Sequence, residues 1–336
     1  MRVLVVTNFV PDPAAPQRGR WVRDQVEQTR RLGVEVEFLA FPVGRREYGP
    51  AVRRIRRTLR ERSFDLVHAH YGLVGWCALL AGARPLVVTF HGTDIRHPVV
   101  GRLSRLLARR VDLAAAASRS LFAEHDGRPR LPRVAGASAV LPCGPELGPF
   151  RPIPRAEARG ELGLDPEGRY LFFPANPARA EKRYDRAVKL ASACGARLLS
   201  GGGIPPERMP LWVNAAGAML VTSEYEGFGM ACLEALSCGV PVLSTPVGIA
   251  PYALGGIEGC LCAEFDTERW REAAAPHLDA AEPRVEGAAR AAAFSAETMA
   301  ERVVLAYAEL LGNDGGEMVP GSRTSGGGSA GNGDGV

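Results

Sequence analysis

Short, almost uninterrupted apolar runs recur along this chain, each followed by a longer stretch with helical spacing, and few folds tolerate that rhythm. The runs Val3–Val6, Val34–Leu39, Leu66–His68, Leu86–Phe90 and Ala114–Ala117 alternate with helical patterns near Gly19–Arg31, Ala51–Arg62, Gly72–Ala81 and Val99–Arg109. Strands this continuously apolar need cover on both faces, which is the condition of a parallel sheet between two layers of helices. A segment rich in Pro and Gly, LPCGPELGPFRPIPR (Leu141–Arg155), then breaks the pattern. The rhythm resumes with strands at Tyr170–Phe173, Ala196–Ser200, Met219–Thr222 and Val240–Ser244. Helices are expected there at Tyr184–Cys194, Met230–Ser237, Glu268–Ala275 and Ala296–Leu311. The expectation is an α/β chain of two doubly wound domains, residues 1–145 and 156–295, joined by a linker at 146–155 and followed by a helix at 296–311. The stretch 312–336 reads as a disordered tail from its Gly- and Ser-rich composition. Ligands of such sheets gather beyond the C-terminal ends of the strands, so a cleft between the domains is the expected site.

Charge divides the chain in the same place. Residues 1–150 hold 24 Arg and Lys against 13 Asp and Glu, and residues 151–336 hold 17 against 24. The densest basic segment, AVRRIRRTLRER (Ala51–Arg62), sets Val52, Ile55 and Leu59 on one helical face and arginines on the rest. It reads as a solvated helix or as a surface for anionic lipid or an anionic acceptor. Its arginines are not interleaved with stacking aromatics, so nucleic acid is not expected. No apolar run approaches the ~18 residues of a membrane span, and the start MRVLVVTNFV reads as a first buried strand rather than a signal peptide. Seven cysteines without a CxxC pair read as reduced thiols of a cytoplasmic protein, without a metal or disulfide framework.

The stretch SEYEGFGMACLEALSCG (Ser223–Gly239) carries the most chemistry. Gly227 and Gly229 allow a sharp turn into a helix beginning at Met230, and bare N–H groups at a helix start suit an anion such as phosphate. Phe228 pins that turn. Glu234 falls in an otherwise apolar helix, where an unpaired charge is costly, so it reads as an acceptor for vicinal hydroxyls such as those of a ribose or as half of a salt bridge. Glu226 precedes the glycines, within reach of sugar hydroxyls. Lys182 and Lys189 are the only lysines; Lys182 follows the first strand of the second domain, where a compact ammonium would neutralise a diphosphate. HGTD (His91–Asp94) follows the strand Leu86–Phe90, and His91 would donate to a sugar hydroxyl or phosphate, or cap its loop beside Asp94. His68 and His70 end another strand, without a carboxylate at metal-ligand spacing, and read as packing or acceptor contacts. Gly19 opens the first helix behind Pro11, Pro13 and Pro16 and would offer its N–H to a phosphate. The chain has no GxGxxG after its first strand, no P-loop, no DxD pair and, ahead of its Gly- and Ser-rich tail, no GxSxG.

With these residues in place, the chain resembles glycosyltransferase family 4. The most specific stretch is SEYEGFGMACLEALSCGVPVLSTPVG (Ser223–Gly248), with its two glutamates and EGFG turn; HGTD and LPCGPELGPF add support. The resemblance implies a GT-B fold, two Rossmann-like domains facing across a cleft, and a retaining transfer from a nucleoside-diphosphate-sugar to a glycan, lipid-linked or small-molecule acceptor. It implies Glu226, Lys182 and His91 as catalytic residues. Donor contacts would come from Gly19, Arg179, Glu234, Gly227, Phe228, Gly229 and Met230. No metal and no further cofactor are implied. The chain differs from the family's pattern at three points. ANPARAEK stands where the family has GR-x-x-x-x-K, which puts Pro177 at the Arg position and Arg179 nearest to it; Cys143 replaces a frequent Asn; and ARLLSGGGIPPERMPLWVNAAGAML shortens the second domain by a helix and strand. A non-catalytic GT-B-like subunit supporting a partner enzyme, and a nucleotide-sugar epimerase of the same shape, are the alternative expectations. The loops at Pro11–Gly19, Gly201–Pro206 and Gly248–Pro251 would set sugar and base.

Overall fold

A computed structural model describes residues 1–11, 18–122, 130–132 and 138–312. Pro13, Pro16 and the tail from 313 onward lie outside the described residues. Two parallel sheets form, each between layers of helices. The first holds β1 (Arg2–Thr7), β2 (Glu35–Ala40), β3 (Leu66–His70), β4 (Leu86–Phe90), β5 (Leu113–Ala116) and β6 (Ser138–Val140) in the order β2-β1-β3-β4-β5-β6. The second holds β7 (Tyr170–Phe173), β8 (Arg197–Ser200), β9 (Ala218–Val221), β10 (Val242–Ser244) and β11 (Leu261–Cys262) in the order β11-β10-β9-β7-β8. All recorded strand pairs are parallel.

The strands are apolar on both faces, as their sequence requires. Leu4 and Val6 join the core with Ile55 and Val74, while Val3 and Val5 join the one with Val22 and Val26. In the second domain Phe172, Met219 and Val242 pack with Leu233 and Leu236, and Leu171, Phe173 and Leu220 pack with Leu190 and Trp270. The chain crosses between the domains twice, and the two passages touch. Ala296 N donates to Pro145 O at 2.9 Å, and a Cβ on Gly144 would lie 2.4 Å from the carbonyl oxygens of Phe294 and Ser295. After the second passage the helix Ala296–Leu310 returns to the first domain and buries Val303, Val304 and Tyr307 against β1 and the helix Arg20–Arg31.

Three points refine the sequence reading. The third strand runs on to His70. The basic helix starts at Tyr48 and ends at Glu61, with Ile55 buried, Val52 and Leu59 partly so, and Arg53, Arg54, Arg56, Arg57 and Arg60 exposed. The short strands β6 and β11 and the helices Arg155–Leu162 and Met209–Ala215 were not expected.

Each sheet reverses direction of strand addition at one place, between β1 and β3 in the first and between β7 and β9 in the second. Loops that leave such neighbouring strands in opposite directions open a crevice at the carboxyl ends. The two crevices carry the site.

Candidate functional site

Lys182 lies in the loop after β7, and Glu226 in the loop after β9. Because β9 pairs with β7, the two side chains meet. Lys182 Nζ donates to both Oε1 and Oε2 of Glu226 at 2.6 Å, and Ser223 Oγ donates to Oε1 at 2.7 Å. Both side chains are nearly enclosed, 12% and 13% exposed, so the pair is poorly screened. The loop carrying Lys182 is fixed from β9: Thr222 Oγ1 donates to the carbonyls of Lys182 and Arg183, and Glu224 N donates to Glu181 O.

The first domain closes over this pair. His91 follows β4, and its carbonyl oxygen would lie 2.4 Å from a Cβ on Gly227. Only hydrogen at that position lets the two loops approach so closely. Beside this contact Arg96 stacks over the Tyr225 ring at 4.4 Å, a cation–π contact between the domains. A cavity of about 180 Å³ lies in the cleft, lined by Phe9, Trp21, His91, Thr93, Arg179, Tyr225, Glu226 and Gly227. Drug-sized ligands occupy pockets of about 300–1,000 Å³, larger than this cavity.

His91 is held rather than free. Asp94, fully buried, accepts hydrogen bonds from the N–H groups of His91 at 3.0 Å, Gly92 at 2.9 Å and Gly72 at 2.9 Å. The carboxylate therefore ties the loop after β4 to the one after β3, although burial raises its pKa to about 6. His91 Nε2 pairs with His70 Nδ1 at 3.1 Å, and its ring meets Phe9 edge-on. Burial lowers the His91 pKa to about 4, so the ring is neutral near pH 7. His68 is packing, as expected: it pairs with Tyr307 Oη at 2.6 Å and Thr89 Oγ1 at 2.8 Å.

Gly229 starts the helix Met230–Ser237 in the left-handed region, φ 93°, as a tight strand-to-helix turn demands. Phe228 packs into the core, and its carbonyl accepts from Ile249 N at 2.7 Å. Met230 is partly buried against the same core. Glu234, expected in an apolar surround, is only half-buried. Desolvation raises its pKa to about 7, opposed by Arg20 and reinforced by Asp24 of the facing domain. Among the described residues its carboxylate has no hydrogen-bond partner. Gly19 starts the helix Arg20–Arg31 at φ 75°, and a Cβ there would lie 2.0 Å from Phe9 O. Arg179 lines the cavity but turns to Glu181, with Nε at 2.8 Å and Nη2 at 2.6 Å from Oε1. Pro177 is exposed in a turn made by Asn176, whose Oδ1 accepts from Ala178 N at 2.9 Å.

Several residues of the site escaped the sequence reading: Ser223, Tyr225, Arg96, Phe9, Trp21 and Thr93. Ser223 alone had a local signal, being three residues before the glutamate it holds. A second cavity of about 320 Å³ lies at the ends of β9, β10 and β11, lined by Arg186, Ser223, Glu224, Thr245, Pro246, Val247 and Glu264. The chemistry converges on the smaller one.

The family model described as Glycosyltransferase Family 4 matches residues 1–144, and that described as Glycosyl transferases group 1 matches residues 168–291. A D-inositol 3-phosphate glycosyltransferase of Mycobacterium avium (strain 104) is 31% identical over 291 residues, covering 70% of this chain and 66% of that protein. The protein of that name from Segniliparus rotundus is 30% identical over 312 residues, covering 76% and 68%. The chain thus spans about two thirds of the length of these curated relatives. Among solved structures, Anabaena Alr3699/HepE in complex with UDP and glucose superimposes with a TM-score of 0.68 at 18% identity, over 92% of this chain and 100% of that one. That likeness is one of fold.

Proposed function

The chain belongs to glycosyltransferase family 4, and from that premise we propose that it transfers a sugar, with retention of anomeric configuration, from a nucleoside-diphosphate-sugar to a glycan, lipid-linked or small-molecule acceptor. One observation carries the reading: Lys182 and Glu226 converge, 2.6 Å apart, in a cleft closed from the other side by His91, whose carbonyl approaches Gly227. The UDP and glucose named for the HepE structure lend support to a nucleotide-sugar.

In this reading the donor displaces the ion pair. The diphosphate takes Lys182, whose ammonium neutralises charge that grows on the leaving phosphate, and the released Glu226 receives sugar hydroxyls. His91 approaches the sugar as a neutral ring held by Asp94. The backbone at Gly19 and at Gly227–Met230 faces the phosphates, and Arg179, freed from Glu181, assists Lys182. The acceptor oxygen bonds to the anomeric carbon as its bond to phosphate breaks on the same face. The acceptor proton passes to the leaving phosphate oxygen. No metal is invoked, because ammonium and helix N–H groups take that role, and turnover is expected to persist in EDTA.

Nucleotide release with a panel of UDP-, GDP- and ADP-sugars tests this, with the anomeric configuration of the product read by NMR. Turnover without an acceptor would instead indicate an epimerase. Absence of donor binding, with Lys182→Ala and Glu226→Ala both silent, would leave a non-catalytic subunit.

Glu234 supplies a prediction with a defined sign. If its ionised carboxylate accepts ribose hydroxyls, the nucleotide binds the deprotonated form, and that form grows as pH rises through about 7. Affinity measured by calorimetry is expected to strengthen between about pH 6 and 8, and Glu234→Gln to remove the slope. A wild-type affinity flat across this range would separate Glu234 from the ribose.

Peripheral contact with the cytoplasmic face of a membrane is part of this reading, and the surface of the first domain supports it. No helix among the described residues is long and apolar enough to cross a membrane. Yet Leu80, Val99, Leu103 and Leu106 are exposed on packed helices, with Arg56 donating to the Leu80 carbonyl and Arg102 and Arg109 exposed along the same stretch as Leu103 and Leu106. Each arginine near an anionic surface contributes about 1 kcal/mol. Sedimentation with anionic vesicles, absent with neutral ones, is the expected result.

A further inference from the structure

The mechanism uses one member of a three-residue cluster, His91, and leaves the other two idle. His70 ends β3, His91 follows β4, and Cys143 lies just beyond β6, where the passage between the domains begins. Each offers one ligand atom, and the three atoms lie within 4.8 Å of one another. Tetrahedral zinc, with bonds of about 2.0 Å to nitrogen and 2.3 Å to sulfur, sets its ligand atoms about 3.3–3.8 Å apart. Closing onto an ion therefore asks for a contraction of about 1 Å. His70 Nδ1 and His91 Nε2 are already 3.1 Å apart, the two rings meeting end to end.

A second observation is independent of this spacing. His70 is fully buried, and its Nε2 has no hydrogen-bond partner. His70 Nδ1 already meets the His91 ring, so Nε2 is the nitrogen of this ring left without a partner. Cys143 is buried too.

We propose that His70, His91 and Cys143 form a binding site for a thiophilic divalent cation of the Zn2+ class, with its fourth position open to the cleft. Binding exchanges the Cys143 S–H bond for a metal–thiolate bond, and the proton leaves to solvent; no group is oxidised or reduced. The two imidazoles bind as neutral rings. His91 is the ligand shared with the sugar site, so an occupied site holds it away from the donor, and the ion acts as an inhibitor rather than a cofactor. That consequence rests on the function proposed above; the metal site itself does not.

The test is titration of Co2+ into the full chain without donor, followed by the thiolate-to-cobalt charge-transfer absorption. One equivalent of Co2+ is expected to raise the band, and Zn2+ to displace it. Cys143→Ser is expected to abolish the band although six other cysteines remain, and His70→Asn to weaken binding at least tenfold while keeping the thiolate. Thermal melts establish that both variants are folded, and His70→Asn stands as the second test if Cys143→Ser is not. No band, or a band unchanged in either folded variant, overturns the site. Nucleotide release in micromolar Zn2+ is then measured: inhibition reversed by chelator and relieved in Cys143→Ser is expected. A band without inhibition would keep the site and overturn the shared role of His91. Normal release with no band would overturn the site and leave the function standing.

Discussion

Lys182→Ala is expected to lower the rate of nucleotide release by about 10²–10³-fold, the range seen when one preorganised group facing developing charge is removed. Lys182 is the nearest cation to the cleft carboxylate, and its ammonium is held by bonds of 2.6 Å to both oxygens of Glu226. Removing it also leaves Glu226, 13% exposed, with Ser223 as its remaining donor. A loss of stability could imitate a loss of catalysis, and breaking an enclosed pair costs several kcal/mol. The double variant Lys182→Ala/Glu226→Ala separates the two. It restores charge balance and is expected to regain most of the lost melting temperature while staying as slow as the single variant, because residues that act as a unit are not additive. Rates that recover along with stability would make the pair structural.

The fold was legible because both faces of each sheet are buried. Runs such as Leu86–Phe90 and Tyr170–Phe173 have no polar face, and that alone requires helices on either side. What escaped were elements too short to show a period, the three residues of β6 and the two of β11. Also hidden was the return of the last helix, since nothing near Tyr307 announces His68 as its partner.

The site was legible residue by residue and not as an arrangement. Lys182 stood out because the chain otherwise uses arginine, and Glu226 because of the glycines after it. Their meeting depends on β9 pairing with β7 rather than with β8, a fact of strand order that no local pattern carries. The same holds for Arg96 on Tyr225, and for Asp94, whose three backbone donors come from two loops. Glu234 was legible as a carboxylate among apolar neighbours, and burial there raises its pKa to about 7; that Arg20 and Asp24 of the other domain act on it is again a matter of arrangement.

Gly227→Ala is the substitution that isolates closure of the cleft, and it is expected to lower kcat/KM by about 10²-fold or more while leaving the melting temperature nearly unchanged. The backbone at Gly227 is outside the left-handed region, so alanine fits it without conformational cost. The added methyl meets only the carbonyl of His91, at 2.4 Å, in the other domain. Relief requires the loops to separate by about 1 Å, and a misplacement of that size costs about 10² in rate. Gly229→Ala is the control with the reverse signature. Its φ of 93° penalises any side chain by about 1–2 kcal/mol, whereas the nearest atoms, on Glu226, are 3.7 Å from the new methyl. That variant is expected to lose stability first and activity only through it. Thermal melts and initial rates on the two proteins therefore separate strain within one domain from distance between two. A Gly227→Ala enzyme with wild-type kcat/KM would mean that the reaction does not use this approach of His91 to Glu226.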